Sequence, residues 1–285
     1  MRREAAKRKL ARQQERRVQQ VKRRRQVAVI TSVAVVVVVV VGVVLLSTIG
    51  KGDPGTAAAP SDAAPTSAPV AAAKTAENIP TAITPLPTRP TALAATVDCA
   101  YPAEGQAAKP AKAPAGTGIS AKGTVAVTLT TGDGAIPLTL DKALAPCTVN
   151  SFVSLAQQGY FDDTPCHRLT TDAGLQVLQC GDPSGAGSGG PGYTIPDEVF
   201  PELKYGRGLL AMANTGQANT GGSQFFMIYG DAQLPPQYTV FGSISAEGLS
   251  VIDTIAKRGH DGSLDAQAGG GKPIQPVTIQ AAKVG

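Results

Sequence analysis

Beyond residue 119 the apolar positions follow two short periods. From Thr124 to Thr130 they alternate with polar ones, which puts Val125, Val127 and Leu129 on one face. Gly132-Asp133-Gly134 then marks a turn, and a second alternating run covers Ile136 to Leu140, so the pair predicts a β-hairpin. Between Thr148 and Gln158 the period changes. Val149, Phe152, Val153 and Ala156 fall at helical spacing, and Gly159 supplies a stop. Further short strands are predicted at Thr164–Leu169, Leu175–Gln179, Gly208–Ala213, Gln224–Tyr229 and Val240–Ile244, a second helix at Leu249–Ala256, and a last strand at Pro276–Ala281. About eight short strands and two helices joined by Gly-rich turns predict a mainly β domain over residues 119–285. The expected architecture is a closed eight-stranded antiparallel β-barrel capped by two α-helices.

Upstream the pattern is of another kind. Val27 to Ile49 carries no charged residue. At about 1.5 Å per helical residue it is long enough to cross a hydrocarbon core of roughly 30 Å. A run such as Val35–Val41 favours a strand in water, but a single span in lipid must satisfy its own backbone groups and is therefore expected to be a transmembrane helix. The other reading is a cleaved signal peptide. The long basic stretch before the run, and the run's own length, weigh against it. From residue 50 to 118, Ala, Pro, Thr and Ser dominate without a sustained hydrophobic period, which predicts a linker. As a coil it would reach on the order of 45 Å. The expected division is a basic segment 1–26, a transmembrane helix 27–49, a linker 50–118 and a folded domain 119–285.

Charge changes the picture at one end only. Met1 to Arg25 holds twelve Lys and Arg against Glu4 and Glu15, although the whole chain of 285 residues is only +5. The other residues are therefore net acidic. A basic arm beside an apolar span suits anionic lipid headgroups, so a lipid bilayer and not nucleic acid is the expected partner. Arg23, Arg24 and Arg25 flank one edge of the span and Lys51 alone the other. The positive-inside rule then puts the N-terminus in the cytoplasm and the 119–285 domain outside, as a single-pass cell-membrane protein.

Five pieces of the domain carry a specific resemblance. They are Cys166-His167-Arg168-Leu169, Val177-Leu178-Gln179-Cys180-Gly181-Asp182, Leu210-Ala211-Met212-Ala213-Asn214, Gly222-Ser223-Gln224-Phe225-Phe226 and Tyr238-Thr239-Val240-Phe241-Gly242. In this order and spacing they resemble the cyclophilin type of peptidyl-prolyl cis/trans isomerase, and the whole chain resembles membrane-anchored actinobacterial cyclophilins. The resemblance implies catalysis of X–Pro rotation in exported proteins or peptides. The alternative is a non-catalytic module or chaperone that holds proline-containing polypeptides in the same groove. It implies catalysis by Arg168 with Gln179 beside it, and a proline pocket walled by Val177, Phe226, Leu234 and Tyr238. Ala213 and Asn214 would hold the residues before the proline, and Gln224 would complete the polar floor. No cofactor or metal is implied, and the domain is expected to act as a monomer.

The chemistry needs only these residue types. Amide resonance puts a barrier of about 18–20 kcal/mol on rotation, and uncatalysed exchange takes roughly tens to hundreds of seconds. The catalyst must bind the twisted amide better than either planar form. In that state the prolyl nitrogen accepts a hydrogen bond, which a permanently charged guanidinium can donate. Phe225 and Phe226 are neighbours on a predicted strand and must face opposite sides, so only Phe226 is assigned to the pocket. His167 is not needed as a base, because no proton moves. The glycine cluster Ser184–Gly192 lacks the Gly-Lys-Ser/Thr end of a phosphate loop and predicts a surface turn beside the groove.

Four cysteines, Cys99, Cys147, Cys166 and Cys180, all follow the apolar run, so an oxidising compartment would favour two disulfides. Three connectivities are possible. The groove implied by the resemblance puts Cys166 and Cys180 on neighbouring strands, which favours that pair and leaves Cys99 for Cys147; buried thiols are the other reading. The pattern also departs from the family. Gln233 stands where many cyclophilins have a tryptophan that helps bind the cyclic peptide cyclosporin, and Tyr238 stands where familiar forms have histidine.

Overall fold

The computed structural model describes residues 73–285. The expected basic segment, transmembrane helix and first part of the linker lie outside the described residues. Among the described residues no helix is long and apolar enough to cross a membrane.

The hairpin forms where alternation places it. β3 (Thr124–Thr131) and β4 (Gly134–Asp141) pair antiparallel from Thr124 opposite Asp141 to Thr131 opposite Gly134. Val127, Leu129, Ile136, Leu138 and Leu140 fill the core from one face. The remaining domain strands are β5 (Thr164–Pro165), β6 (Arg168–Leu169), β7 (Leu175–Cys180), β8 (Leu209–Met212), β9 (Phe225–Ala232), β10 (Val240–Ile244) and β11 (Thr278–Val284). They make one nine-stranded sheet in the order β5-β11-β3-β4-β10-β8-β9-β7-β6. A separate short pair joins β1 (Thr96–Val97) to β2 (Ile119–Ser120).

This corrects the expected closed, eight-stranded barrel. The run Thr164–Leu169 is two strands, not one. β5 pairs with β11 and β6 with β7, at opposite ends of the sheet order. Only Cys166 and His167 separate them in the chain. The sheet therefore curls until its two edges meet, and covalent chain bridges the seam instead of a strand-to-strand ladder. Cys166 and His167, between the two strands, are both buried, and nothing in the residue types of 164–169 shows that the hydrogen-bonding partner changes midway.

Two helices pack on the sheet. α1 (Pro146–Gln157) starts two residues earlier than its apolar period because Pro146 suits a first turn. Its N-cap Ala145 offers no side-chain bond. The distant Glu198 carboxylate instead accepts from the N–H groups of Cys147 and Thr148, at 3.0 and 2.8 Å. Phe152 of α1 meets Phe161, Phe225 and Phe241 with ring centroids 4.8, 5.2 and 5.4 Å apart. Phe225 is thus core, on the side opposite Phe226. α2 (Ala246–Arg258) has Ser245 as N-cap, accepting from Gly248 N–H at 3.1 Å, and ends in Lys257 and Arg258, which suits the helix dipole.

The described part of the expected linker is held against the domain. Lys74 N–H bonds to the His260 carbonyl and Thr84 N–H to that of Arg207, at 3.0 and 2.8 Å. The Arg89 guanidinium donates to the Leu144 and Glu198 carbonyls and stacks over Phe200. Ala76, Ile79, Leu86, Val97 and Tyr101 pack on the core one at a time. Such single contacts leave no period to read. The disulfides are Cys99–Cys147, which ties this strap to α1, and Cys166–Cys180.

Candidate active site

Pairing across three strands builds one row of side chains. Arg168 of β6 lies opposite Gln179 of β7, and Gln179 lies opposite Phe226 of β9. Directly opposed residues project from the same face, so guanidinium, amide and phenyl ring lie side by side. Val177, two residues before Gln179, shares that face. Leu234 and Tyr238 come from the connection between β9 and β10, and Ala213 and Asn214 follow β8. All eight of these line one open cavity of about 460 Å³. Gln224, the ninth predicted residue, lies in an adjoining cavity that shares Gln179, Ala213 and Asn214 with the first.

The polar residues form a chain of bonds. Arg168 Nη1 donates to Gln179 Oε1 at 3.0 Å, Gln179 Nε2 to Gln224 Oε1 at 3.0 Å, and Gln224 Nε2 to the Gly189 carbonyl at 3.0 Å. On its other side Arg168 donates through Nε to the Gly269 carbonyl at 2.9 Å and through Nη2 to that of Ala268. Three of the five guanidinium donors are thereby committed and two are left for a ligand. Burial pulls the Arg168 pKa downward, yet a guanidinium keeps its charge in proteins. His167 is also held below its ordinary value by burial, and its Nδ1 has no partner.

The apolar wall is equally braced. Phe226 is almost fully buried and meets the Tyr238 ring edge-on, at 5.5 Å and 82°. Tyr205 fixes Tyr238 from behind: its hydroxyl donates to the Tyr238 carbonyl at 2.8 Å and accepts from the Tyr238 N–H at 3.0 Å. Asn214 Nδ2 donates to the Gln237 carbonyl at 2.9 Å, and Asn214 Oδ1 accepts from Gly216 N–H at 3.0 Å. One N–H and one lone pair of that amide remain for a substrate.

The Ser184–Gly192 cluster is a wall of both cavities, as its prediction beside the groove implies. Asp182 anchors it. Burial alone would raise that carboxyl, but bonds from Ser184 and the Gly189 N–H hold it below its usual value. Gly181 precedes it with φ +92°, and a Cβ there would collide with the Ser223 carbonyl oxygen. The sequence reading missed the loop after α2. Leu264, Gln267, Ala268 and Lys272 line the first cavity, and this loop supplies both carbonyls that hold Arg168. The run Gly269-Gly270-Gly271 was its only signal. Gln233, singled out as a departure, is exposed and not among the cavity's lining residues.

Comparison with known proteins decides the family. The model of the cyclophilin-type peptidyl-prolyl cis-trans isomerase/CLD family matches residues 126–284. The chain belongs to the cyclophilin family. Over 202 residues this cyclophilin is 48% identical to the probable peptidyl-prolyl cis-trans isomerase B of Mycobacterium leprae, covering 66% of this chain and 67% of that protein. Over 196 residues it is 50% identical to the corresponding Mycobacterium tuberculosis protein, covering 64% of this chain and 62% of that one. The chain thus spans about two thirds of the length of these relatives. Among solved structures, a cyclophilin-type isomerase of Cryptosporidium parvum superposes with a TM-score of 0.50 at 32% identity, covering 57% of this chain and 98% of that one. The matches to the mycobacterial proteins are longer than the family domain, so they take in part of the strap.

Proposed function

We propose that this cyclophilin is a peptidyl-prolyl cis/trans isomerase acting on X–Pro bonds of polypeptides outside the cytoplasm. The observation that carries the reading is Arg168, pinned by three bonds and with two N–H donors uncommitted, beside a pocket walled by Phe226, Leu234 and Tyr238. The apolar wall suits a proline ring. A planar amide nitrogen accepts no hydrogen bond, whereas the twisted one does, so a donor fixed there favours the transition state over both ground states. Acceleration by about five decades requires lowering the barrier by roughly 7 kcal/mol. Gln179 and the Ala268 and Gly269 carbonyls hold the guanidinium in place before substrate arrives, so little reorganisation is needed as the bond turns. A pure binding module would not need that pre-set donor. The test is NMR exchange on X–Pro tetrapeptides with the full chain. Catalysed exchange at catalytic protein concentrations is expected, and binding without catalysis would overturn the reading.

The location belongs to the same proposal. The uncharged run 27–49, with Arg23, Arg24 and Arg25 on one edge, supports a single span with the isomerase domain outside the cytoplasm. The two disulfides agree with an oxidising compartment.

A further inference from the structure

The second cavity is completed by a segment outside the family domain. Pro102 to Ala108 of the strap runs antiparallel to Gly190–Thr194. The Pro102 carbonyl accepts from Thr194 N–H at 3.0 Å, Glu104 N–H donates to the Gly192 carbonyl at 3.0 Å, and Ala108 N–H to that of Gly190 at 2.9 Å. The approach is close: a Cβ on Gly192 would lie 3.2 Å from the Ala107 nitrogen, and one on Gly189 would meet the Asp182 carboxylate first, and the Ala108 Cβ at 2.9 Å. The segment is also fixed from below. Cys99 is bonded to Cys147, and the Tyr101 hydroxyl donates to the Cys147 carbonyl at 2.9 Å. Glu104, Gly105 and Gln106 thereby become one wall of a cavity of about 450 Å³.

Glu104 is the only charged residue among those lining this cavity; the others are glycines, hydroxyl residues, amides, Pro191, Tyr193 and Ala213. The two cavities share Gln179, Gly187, Ala213 and Asn214. An extended peptide rises about 3.3 Å per residue and turns alternate side chains to the same side. With the proline ring in the first cavity, the side chain two residues before it faces the same surface about 6–7 Å away. Ala213 and Asn214, matched to residues that hold the substrate before its proline, set that direction.

We infer that Glu104 is a specificity-determining residue, and that the strap-walled cavity selects Lys or Arg at the second residue before the proline. This rests on the isomerase reading. The carboxylate is exposed, so its attraction is modest and screened by salt.

The test measures kcat/KM of the full chain on peptides of the form X-Ala-Pro-Phe, with X as Lys, Gln or Glu, at low and high ionic strength. At low salt the Lys peptide should exceed the Glu peptide by about three- to ten-fold, and high salt should compress the ratio. Glu104→Gln should bring the ratio near one, and Glu104→Lys should invert it; an exposed side chain makes both changes compatible with folding. Equal turnover of all three peptides by the unmodified protein, or a Lys preference that survives in Glu104→Gln, would overturn the inference and leave the isomerase reading standing. No turnover of any peptide would overturn both.

Discussion

Arg168 and Gln179 lie opposite one another on β6 and β7, and the Gln179 side-chain oxygen accepts from Arg168 Nη1. Gln179→Ala removes the acceptor for Nη1 and leaves Gln224 Oε1 without its donor. A hydrogen bond to a charged group is worth about 1.5–3 kcal/mol. Turnover is therefore expected to fall on the order of ten- to a hundred-fold in an NMR exchange assay, with peptide affinity changing less. An unchanged rate would show that the Ala268 and Gly269 carbonyls alone position the arginine. At position 233 an exposed amide replaces a large flat aromatic surface. An aromatic can bury about 150–250 Å², and losing part of that at about 25 cal/mol per Å² costs roughly 1–3 kcal/mol. Cyclosporin inhibition should accordingly be weak, and Gln233→Trp should recover part of it with little change in turnover. Nanomolar inhibition of the unmodified protein would contradict this.

Among the elements, those whose signal lies within their own residues were legible. The β3–β4 hairpin, both helices and the Arg168, Gln179 and Phe226 positions follow from local period or local motif. The split of Thr164–Leu169 into β5 and β6 was not, because it depends on which distant strands pair with each half. Nor was the loop after α2, whose contribution is two main-chain carbonyls that any residue could supply. That loop is joined to His260, which is fully buried; its Nδ1 accepts from Gly262 N–H at 3.0 Å, and its Nε2 lies 3.1 Å from Thr171 Oγ1. Lys74, Asp172, Asp261 and Asp265 surround it, and burial outweighs the acids to hold its pKa below the ordinary 6.5. A neutral imidazole in the folded state and a basic one in the unfolded state give a clear sign. The stabilisation is complete above about pH 6.5 and is lost as pH falls toward the folded pKa. His167 shifts in the same direction. Thermal melts should thus hold steady from pH 7 to 8 and drop below pH 6.5, and His260→Gln should flatten part of that drop; a midpoint rising on acidification would contradict the assignment. The disulfides act at the same scale. In the chain-entropy picture, closures of 14 and 48 residues are worth about 3 and 4 kcal/mol. Reduction should therefore lower the denaturant midpoint markedly, and alkylation of the denatured, unreduced protein should add no mass.

For the whole molecule, composition alone suggested a linker up to residue 118, yet the part from residue 73 onward is bonded to the domain by backbone contacts and a disulfide. Its apolar anchors, such as Ile79 and Leu86, are too widely spaced to form a period, and only the folded surface gives them something to pack on. Protease added to intact cells should release an active fragment cut before Lys74, not between Lys74 and Pro114 where backbone is engaged. Protection of the domain until the membrane is broken would reverse the proposed orientation. The central claim is that rotation is accelerated by a hydrogen bond made chiefly to the twisted amide. The most direct measurement compares kcat and KM for the full chain and for Arg168→Ala on one X–Pro tetrapeptide, with circular dichroism as the folding control. Loss of a donor of this kind is expected to lower kcat by about 10²–10³ while KM changes little. A folded variant with unaltered kcat, or one whose loss lies wholly in KM, would contradict the account.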